Sequence, residues 1–162
     1  MPLSRDLALT DAELDDFLLR SWTMRVATQG PGSRLNLTAM WYGWAGGCVY
    51  FVGRGQKIVN LRRNPACTVL VDANERYPEL VGAMLSGRGI VLEDAAAEDA
   101  DPNLEEVRLQ MGRKYATGRG GPAPAPDVSV RNGYTASGRS RRWVRVEVDH
   151  LVTWDNNKLT RG

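Results

Sequence analysis

Read for apolar and polar positions, the chain falls into short alternating runs separated by glycine, proline and asparagine, with a few stretches at helical spacing. A helix comes first. Thr10 with Glu13 three residues on makes a capping-box pattern, and Leu14, Phe17 and Leu18 then share one face. That predicts an amphipathic helix over 11–21, packed on a sheet. Residues 23–28 alternate as a strand, and 30–33 form a turn. Residues 35–42 alternate again, with Leu35, Leu37, Ala39 and Trp41 on one face and Asn36, Thr38, Met40 and Tyr42 on the other. The reversal Ala45-Gly46-Gly47 makes this run a hairpin with a strand over 48–52.

The stretch 50–65, YFVGRGQKIVNLRRNP, is the centre of the chain. Gly53 and Gly55 open a turn, Ile58 and Leu61 recur at helical spacing, and Pro65 closes the segment. Arg54, Lys57, Arg62 and Arg63 make it basic. Two explanations compete: a phosphate held by turn amides and cations at the start of a short helix, or a solvated basic loop between two strands. The spacing GxxxxGK[ST] is absent, so it is not a P-loop.

Beyond it, 66–72 reads as an apolar strand, 74–78 as a polar loop and 80–92 as a long strand. Gly82, Gly87 and Gly89 mark a bulge or bend in that strand. Residues 93–101 are acidic and alanine-rich. A second helix is predicted over 103–115, where Leu104, Val107 and Met111 share a face. Residues 116–140 lack periodicity and begin around GRGGPAPAPD, which predicts a long mobile loop. Residues 142–148 alternate as a strand, 152–154 offer a continuation, and 155–162 form a polar tail. About six strands joined mostly by short turns, with helices at the ends, make a small closed or half-closed antiparallel barrel the economical architecture.

Composition narrows the function. With 162 residues, 43% hydrophobic and 25% charged, one domain spanning 1–162 is expected. A net charge of +2 is too mild for nucleic acid but suits a small anionic ligand. Cys48 and Cys67 sit in apolar runs; a disulfide between them is sterically allowed, and two buried thiols are the expected state. The single histidine, His150, leaves no His/Cys metal cluster, and a Ser-His-Asp triad would depend on it alone. No stretch is apolar enough over membrane-spanning length, and the start of the chain lacks a signal-peptide core. The expectation is a cytoplasmic protein. Trp41, Tyr42 and Trp44 form either a ligand wall or core packing and a turn tip. Tyr77 and Glu79 either close a pocket or lie on a surface loop. Arg113, Lys114, Arg119, Arg131, Arg139, Arg141 and Arg142 make the later part basic, as a solvated face or as contacts to an anionic ligand.

Four pieces in order resemble one family: Met40-Trp41-Tyr42 before a Gly-rich turn; VYFVGRGQKIVNLRRNP; Tyr77-Pro-Glu-Leu-Val-Gly followed by SGRG; and TWDNNKL over 153–159. Together they resemble the flavin/deazaflavin oxidoreductases of group B, within the pyridoxamine 5'-phosphate oxidase-like FMN-binding split barrels. The likeness runs from about residue 9 to 159, the loop 116–140 excepted. It implies a six-stranded antiparallel split β-barrel, mainly β with peripheral helices. It also implies a homodimer whose groove between subunits takes F420, or alternatively FMN, and in some members haem. The reaction implied is hydride transfer from reduced F420 to an unsaturated small molecule; the alternatives are an FMN-dependent reaction or non-catalytic binding. Gln56 and Lys57, with Arg54 nearby, would hold the cofactor phosphate. Ala39, Met40, Trp41, Phe51, Val52 and Gly53 would line the ring, partly through backbone groups, and Trp154 would approach from the partner subunit. No catalytic side chain is implied. Where relatives carry Thr or Ser in the turn, this chain has Gly53 and Gly55, so no hydroxyl is available there. The turn QGPGSRLN also lacks the family's more usual Asp-Gly-x-Pro. Trp143, Val144 and Val146 offer an apolar face for the dimer, and 116–140 would act as a lid.

Overall fold

The computed structural model describes residues 7–116 and 141–160. In chain order the elements are α1 (Asp11–Arg20), β1 (Met24–Gln29), β2 (Leu35–Met40), β3 (Gly43–Ala45), β4 (Cys48–Gly53), α2 (Gln56–Arg63), β5 (Ala66–Ala73), β6 (Val81–Leu92), α3 (Ala95–Asp99), α4 (Leu104–Ala116) and β7 (Arg142–Asp155). Short 3-10 turns at Pro31–Ser33, Tyr77–Glu79 and Asn156–Thr160 complete them. The capping box predicted for α1 is present: Thr10 Oγ1 accepts from Glu13 N–H at 3.3 Å and Glu13 returns an acceptor to Thr10 N–H at 2.8 Å.

Among the described residues seven strands form one sheet in the order β2-β1-β5-β6-β7-β4-β3, every pairing antiparallel. The two edge strands, β2 and β3, are consecutive in the chain with only Trp41 and Tyr42 between them. The sheet therefore curls until its edges lie one short link apart, which makes a half-barrel. The expected antiparallel barrel is present in this form, with seven strands rather than six.

The added strand, β3, lies just beyond the run 35–42, which ends as a strand at Met40. Tyr42 turns its side chain into the core, where the hydroxyl donates to Leu18 O at 2.6 Å, and its backbone N–H donates to the Tyr115 hydroxyl at 3.1 Å. The second bond gives the backbone donor of residue 42 to a side chain rather than to a strand neighbour. The reversal at Gly46-Gly47 is real, but it joins β4 to the three-residue β3, with Trp44 opposite Val49. β2 pairs instead with β1, from Gln29 opposite Leu35 to Met24 opposite Met40.

The alternation of β2 also faces the other way. Leu35 and Leu37 are 74% and 68% exposed, whereas Asn36, Thr38 and Met40 are half-buried. The period was legible in the sequence, but this chain alone does not cover the apolar side.

β6 and β7 are long and paired along their length, with a register shift between Ser86 and Gly87. A Cβ at Gly87 would collide with the Glu147 carbonyl, which explains glycine at the bulge. The expected strand 142–148 and its continuation are one strand. The late apolar face expected at a dimer interface is used inside the chain: Trp143, Val144 and Val146 are all fully buried. Val144 and Val146 join Phe17, Met24, Phe51 and Leu85 in the barrel core. Trp143 joins Tyr50, Leu92, Leu104, Val107 and Met111 in a second core. Cys48 and Cys67 are free thiols, and burial pushes Cys67 up to about 11. No helix among the described residues is long and apolar enough to cross a membrane.

Candidate functional site

The turn after β4 brings two cations to the start of α2. β4 ends at Gly53, opposite Arg142 of β7, and Gly55 then caps α2 at φ 71° and ψ −144°. That backbone favours glycine, and it brings no side-chain cap to the helix. The Gly55 carbonyl accepts from Ile58 N–H (3.1 Å) and Val59 N–H (3.3 Å). The amides of Gln56 and Lys57 thus belong to the helix's first, uncapped turn, where the dipole is positive.

Lys57 folds back over this opening. Its ammonium donates to the Arg54 carbonyl at 3.2 Å. Its stem lies over Gly53, where an added Cβ would sit 3.1 Å from Lys57 Cδ. Burial, and then the neighbouring Arg54 charge, holds the Lys57 ammonium below its usual range. Arg54 is exposed, and among the described residues no carboxylate is paired with either cation. Two neighbouring cations and an uncapped helix start are the groups with which a chain can hold an anion.

The other basic residues divide. Arg62 is taken by Glu93 in a two-pronged ion pair at 2.7 and 2.6 Å, with Arg142 at 3.6 Å from the same carboxylate. Arg63 is exposed on the last turn of α2. Gln56 does not reach outward: its amide donates to Asn60 Oδ1 at 2.7 Å. Asn60 in turn donates to Thr28 Oγ1 at 3.1 Å, and both Asn60 and Thr28 are buried. This polar bridge fastens α2 to β1 and fixes the direction of the helix start. Asn60 did not stand out in the sequence; its signal is an amide four residues after Gln56, next to Leu61.

The residues expected to line a ring are only partly gathered. Met40 and Phe51 pack on the barrel core, and Trp41 and Val52 on the second core. Phe51 is fully buried and offers the site only backbone. Ala39 is exposed beside the uncovered leucines of β2. Trp41 stacks on Tyr115 with centroids 4.4 Å apart and planes 3° from parallel, and Trp22 meets the other side of that cluster edge-on at 5.5 Å. Tyr42 and Trp44 are packing residues; the Trp44 indole donates to Asp15 at 2.7 Å.

Trp154 lies elsewhere. It pairs with Gly82, where any side chain would collide with its indole, near the exposed Tyr77 turn. Gly53 meets the other end of β7 at Arg142, twelve residues away, a path of roughly 40 Å along the strand. One chain therefore does not bring Trp154 to Lys57. His150 is exposed on β7 opposite Ser86. Among the described residues no three His, Cys, Asp or Glu side chains gather into a metal site. The proposed lid, with Arg119, Arg131 and Arg139, lies outside the described residues from 117 on.

No protein-family model matches the chain, and no curated protein matches it in sequence. Solved structures do match. A conserved hypothetical protein from Mycobacterium tuberculosis is similar at a TM-score of 0.79 and 27% identity, over 99% of this chain and 93% of that one. A FAD-binding protein from Mesorhizobium loti aligns at a TM-score of 0.63 and 16% identity, over 90% of this chain and 93% of that one. An F420 reductase aligns at a TM-score of 0.56 and 20% identity, over 85% and 94%. What this chain shares with such neighbours is a fold, the curled antiparallel half-barrel.

Proposed function

We propose that this chain is an oxidoreductase that uses reduced F420 to reduce an unsaturated small molecule. The observation that carries the reading is the turn 53–57, where Lys57 and Arg54 lie without a carboxylate partner at the uncapped start of α2. Those groups suit the phosphate of a flavin or deazaflavin, with ammonium, guanidinium and backbone amides as the donors. The motifs resemble a family whose members take F420 or FMN, and the F420 reductase among the fold neighbours is compatible with the first.

When bound, the cofactor supplies the hydride. The chain's own part is placement. The Gln56–Asn60–Thr28 bridge aims the helix start at the phosphate. The backbone of residues 51–53 and the strand end at 39–41 offer a wall for the ring, with Trp41 fixed by its stack on Tyr115. We assign no side chain as a proton donor.

A second copy completes the site in this account. Leu35 and Leu37 present an apolar strand face to solvent, and covering it with the same face or another of a partner would bring a distant element such as Trp154 toward the turn. Leu37→Arg is expected to shift the protein from dimer to monomer in sedimentation and to abolish cofactor binding with it. A wild type that sediments as a monomer at micromolar concentration contradicts the shared groove.

Reaction class is tested by mixing the protein with reduced F420 and a panel of activated alkenes and enones, and following F420 reoxidation. Turnover of at least one acceptor is the expected result. A protein that purifies yellow with absorbance near about 450 nm, a property of FMN, moves the assignment to FMN chemistry. Tight binding of either cofactor without turnover of any acceptor makes it a carrier.

A further inference from the structure

A second cavity lies away from the turn. It is a groove of about 630 Å³ between the end of α1 and the outer side of α4, lined by Leu19, Arg20, Trp22, Glu106, Leu109, Gln110, Arg113 and Lys114. Its size falls in the range of small-molecule sites. Two observations say what would suit it.

The first is its apolar floor. Trp22 is 44% exposed and Leu19 is 42% exposed, side by side with Leu109 across the groove. The indole is not loose: it meets Tyr115 edge-on at 5.5 Å, and the Tyr115 hydroxyl lies 2.9 Å from the Trp22 carbonyl. An indole held in place and 44% exposed offers apolar surface to a flat group.

The second is charge. Three cations line the groove against one acid, Glu106. Arg20 is paired with Asp16 at 2.9 Å. Arg113 is exposed and paired with no carboxylate of the described residues. Lys114 donates to the carbonyls of Ser21 at 2.8 Å and Leu18 at 3.4 Å, and its ammonium lies 4.2 Å from the Tyr42 ring centre. Among the described residues it has dipoles and π faces around it and no paired carboxylate, and burial pushes it down to about 8. Gln110 is held by both ends on Trp44 backbone, at 2.7 and 2.8 Å, so this wall of the groove is set in place.

We propose that the α1–α4 groove is a binding site for a small aromatic carboxylate, its ring system on Trp22, Leu19 and Leu109 and its anion on the exposed Arg113. The site is independent of the phosphate turn and does not rest on the F420 assignment.

The test uses 2-naphthoate and its neutral counterpart 2-naphthalenemethanol, titrated into the full-length protein by calorimetry with Trp fluorescence alongside. Naphthoate is expected to saturate one site per chain with a dissociation constant of about 1 mM or tighter, and the alcohol to bind at least fivefold more weakly. Arg113→Glu, an exposed position that leaves folding intact, is expected to weaken naphthoate about tenfold or more while leaving the alcohol unchanged. Trp22→Ala should weaken both. Lys57→Ala should leave naphthoate binding as in wild type, which separates failure here from failure of the cofactor reading. Equal binding of acid and alcohol, or no effect of Arg113→Glu, overturns the proposal. So does displacement of naphthoate by FMN, which would assign the groove to the flavin. Absence of naphthoate binding to wild type, or dissociation of an oligomer by Trp22→Ala, would show the groove covered by protein instead and also overturns it.

Discussion

Asn60→Ala is the substitution with the most informative cost. Asn60 is fully buried and bridges Gln56 and Thr28 at 2.7 and 3.1 Å. Removing it deletes two hydrogen bonds, each worth about 1 kcal/mol net. It also strands the Thr28 hydroxyl, itself buried, which costs roughly another 1–2 kcal/mol. A total of about 3 kcal/mol follows. For a domain of this size that corresponds to a fall in Tm of roughly 6–12 °C. Equilibrium urea unfolding of wild type, Asn60→Ala, Thr28→Val and the double variant measures it. Because either single change orphans the partner, the double variant should cost less than the sum by about 1 kcal/mol or more. If Asn60→Ala costs under about 0.5 kcal/mol, or the four proteins show additive effects, the bridge does not hold α2 in place.

Other consequences can be checked the same way. Asp101→Ala should destabilise by roughly 2–3 kcal/mol in urea unfolding, because the buried carboxylate accepts from Arg145 at 2.7 Å and from the Tyr50 hydroxyl at 3.0 Å, while Arg145 keeps its second partner, Glu147, at 2.7 Å. Asp101→Asn should recover part of that, and equal costs for the two would count against the charge pair. Lys114 has a folded value of about 8, below the ordinary 10.5, so between those values the unfolded chain binds more protons and this lysine's contribution to stability rises with pH. The stability of wild type relative to Lys114→Met should therefore climb from pH 8 to pH 10; Cys67, which acts oppositely as unfolded thiols ionise above about 9, is common to both proteins and cancels. A flat difference would refute the burial of that charge.

Local chemistry was legible in the sequence wherever neighbours in the chain decide it. Thr10 and Glu13 cap α1 because their spacing alone closes the box, and Gly55 opens α2 because its backbone needs no side chain. Non-local partners were not legible. Nothing in the run 35–42 announces that Tyr42 will reach Leu18 and Tyr115, and the expected strand ends two residues early, at Met40. The period of β2 was plain, but which face meets protein depends on the other strands and, in this account, on a second copy. Arg62 reads like Arg54 in the sequence; only the fold places Glu93 beside it and removes it from the anion site. Trp154 belongs to the expected site by motif, while the length of β7 separates it from Lys57 within one chain.

Titration of F420 and FMN into wild type and Lys57→Ala tests the central claim most directly. Charge-assisted hydrogen bonds are worth about 1.5–3 kcal/mol each, and no hydroxyl in the turn substitutes for the ammonium. Lys57→Ala should weaken the bound cofactor roughly tenfold to a hundredfold with an unchanged apo melting curve, and Lys57→Arg should recover only part of the loss. If Lys57→Ala binds both cofactors as tightly as wild type, the turn 53–57 is not the phosphate site.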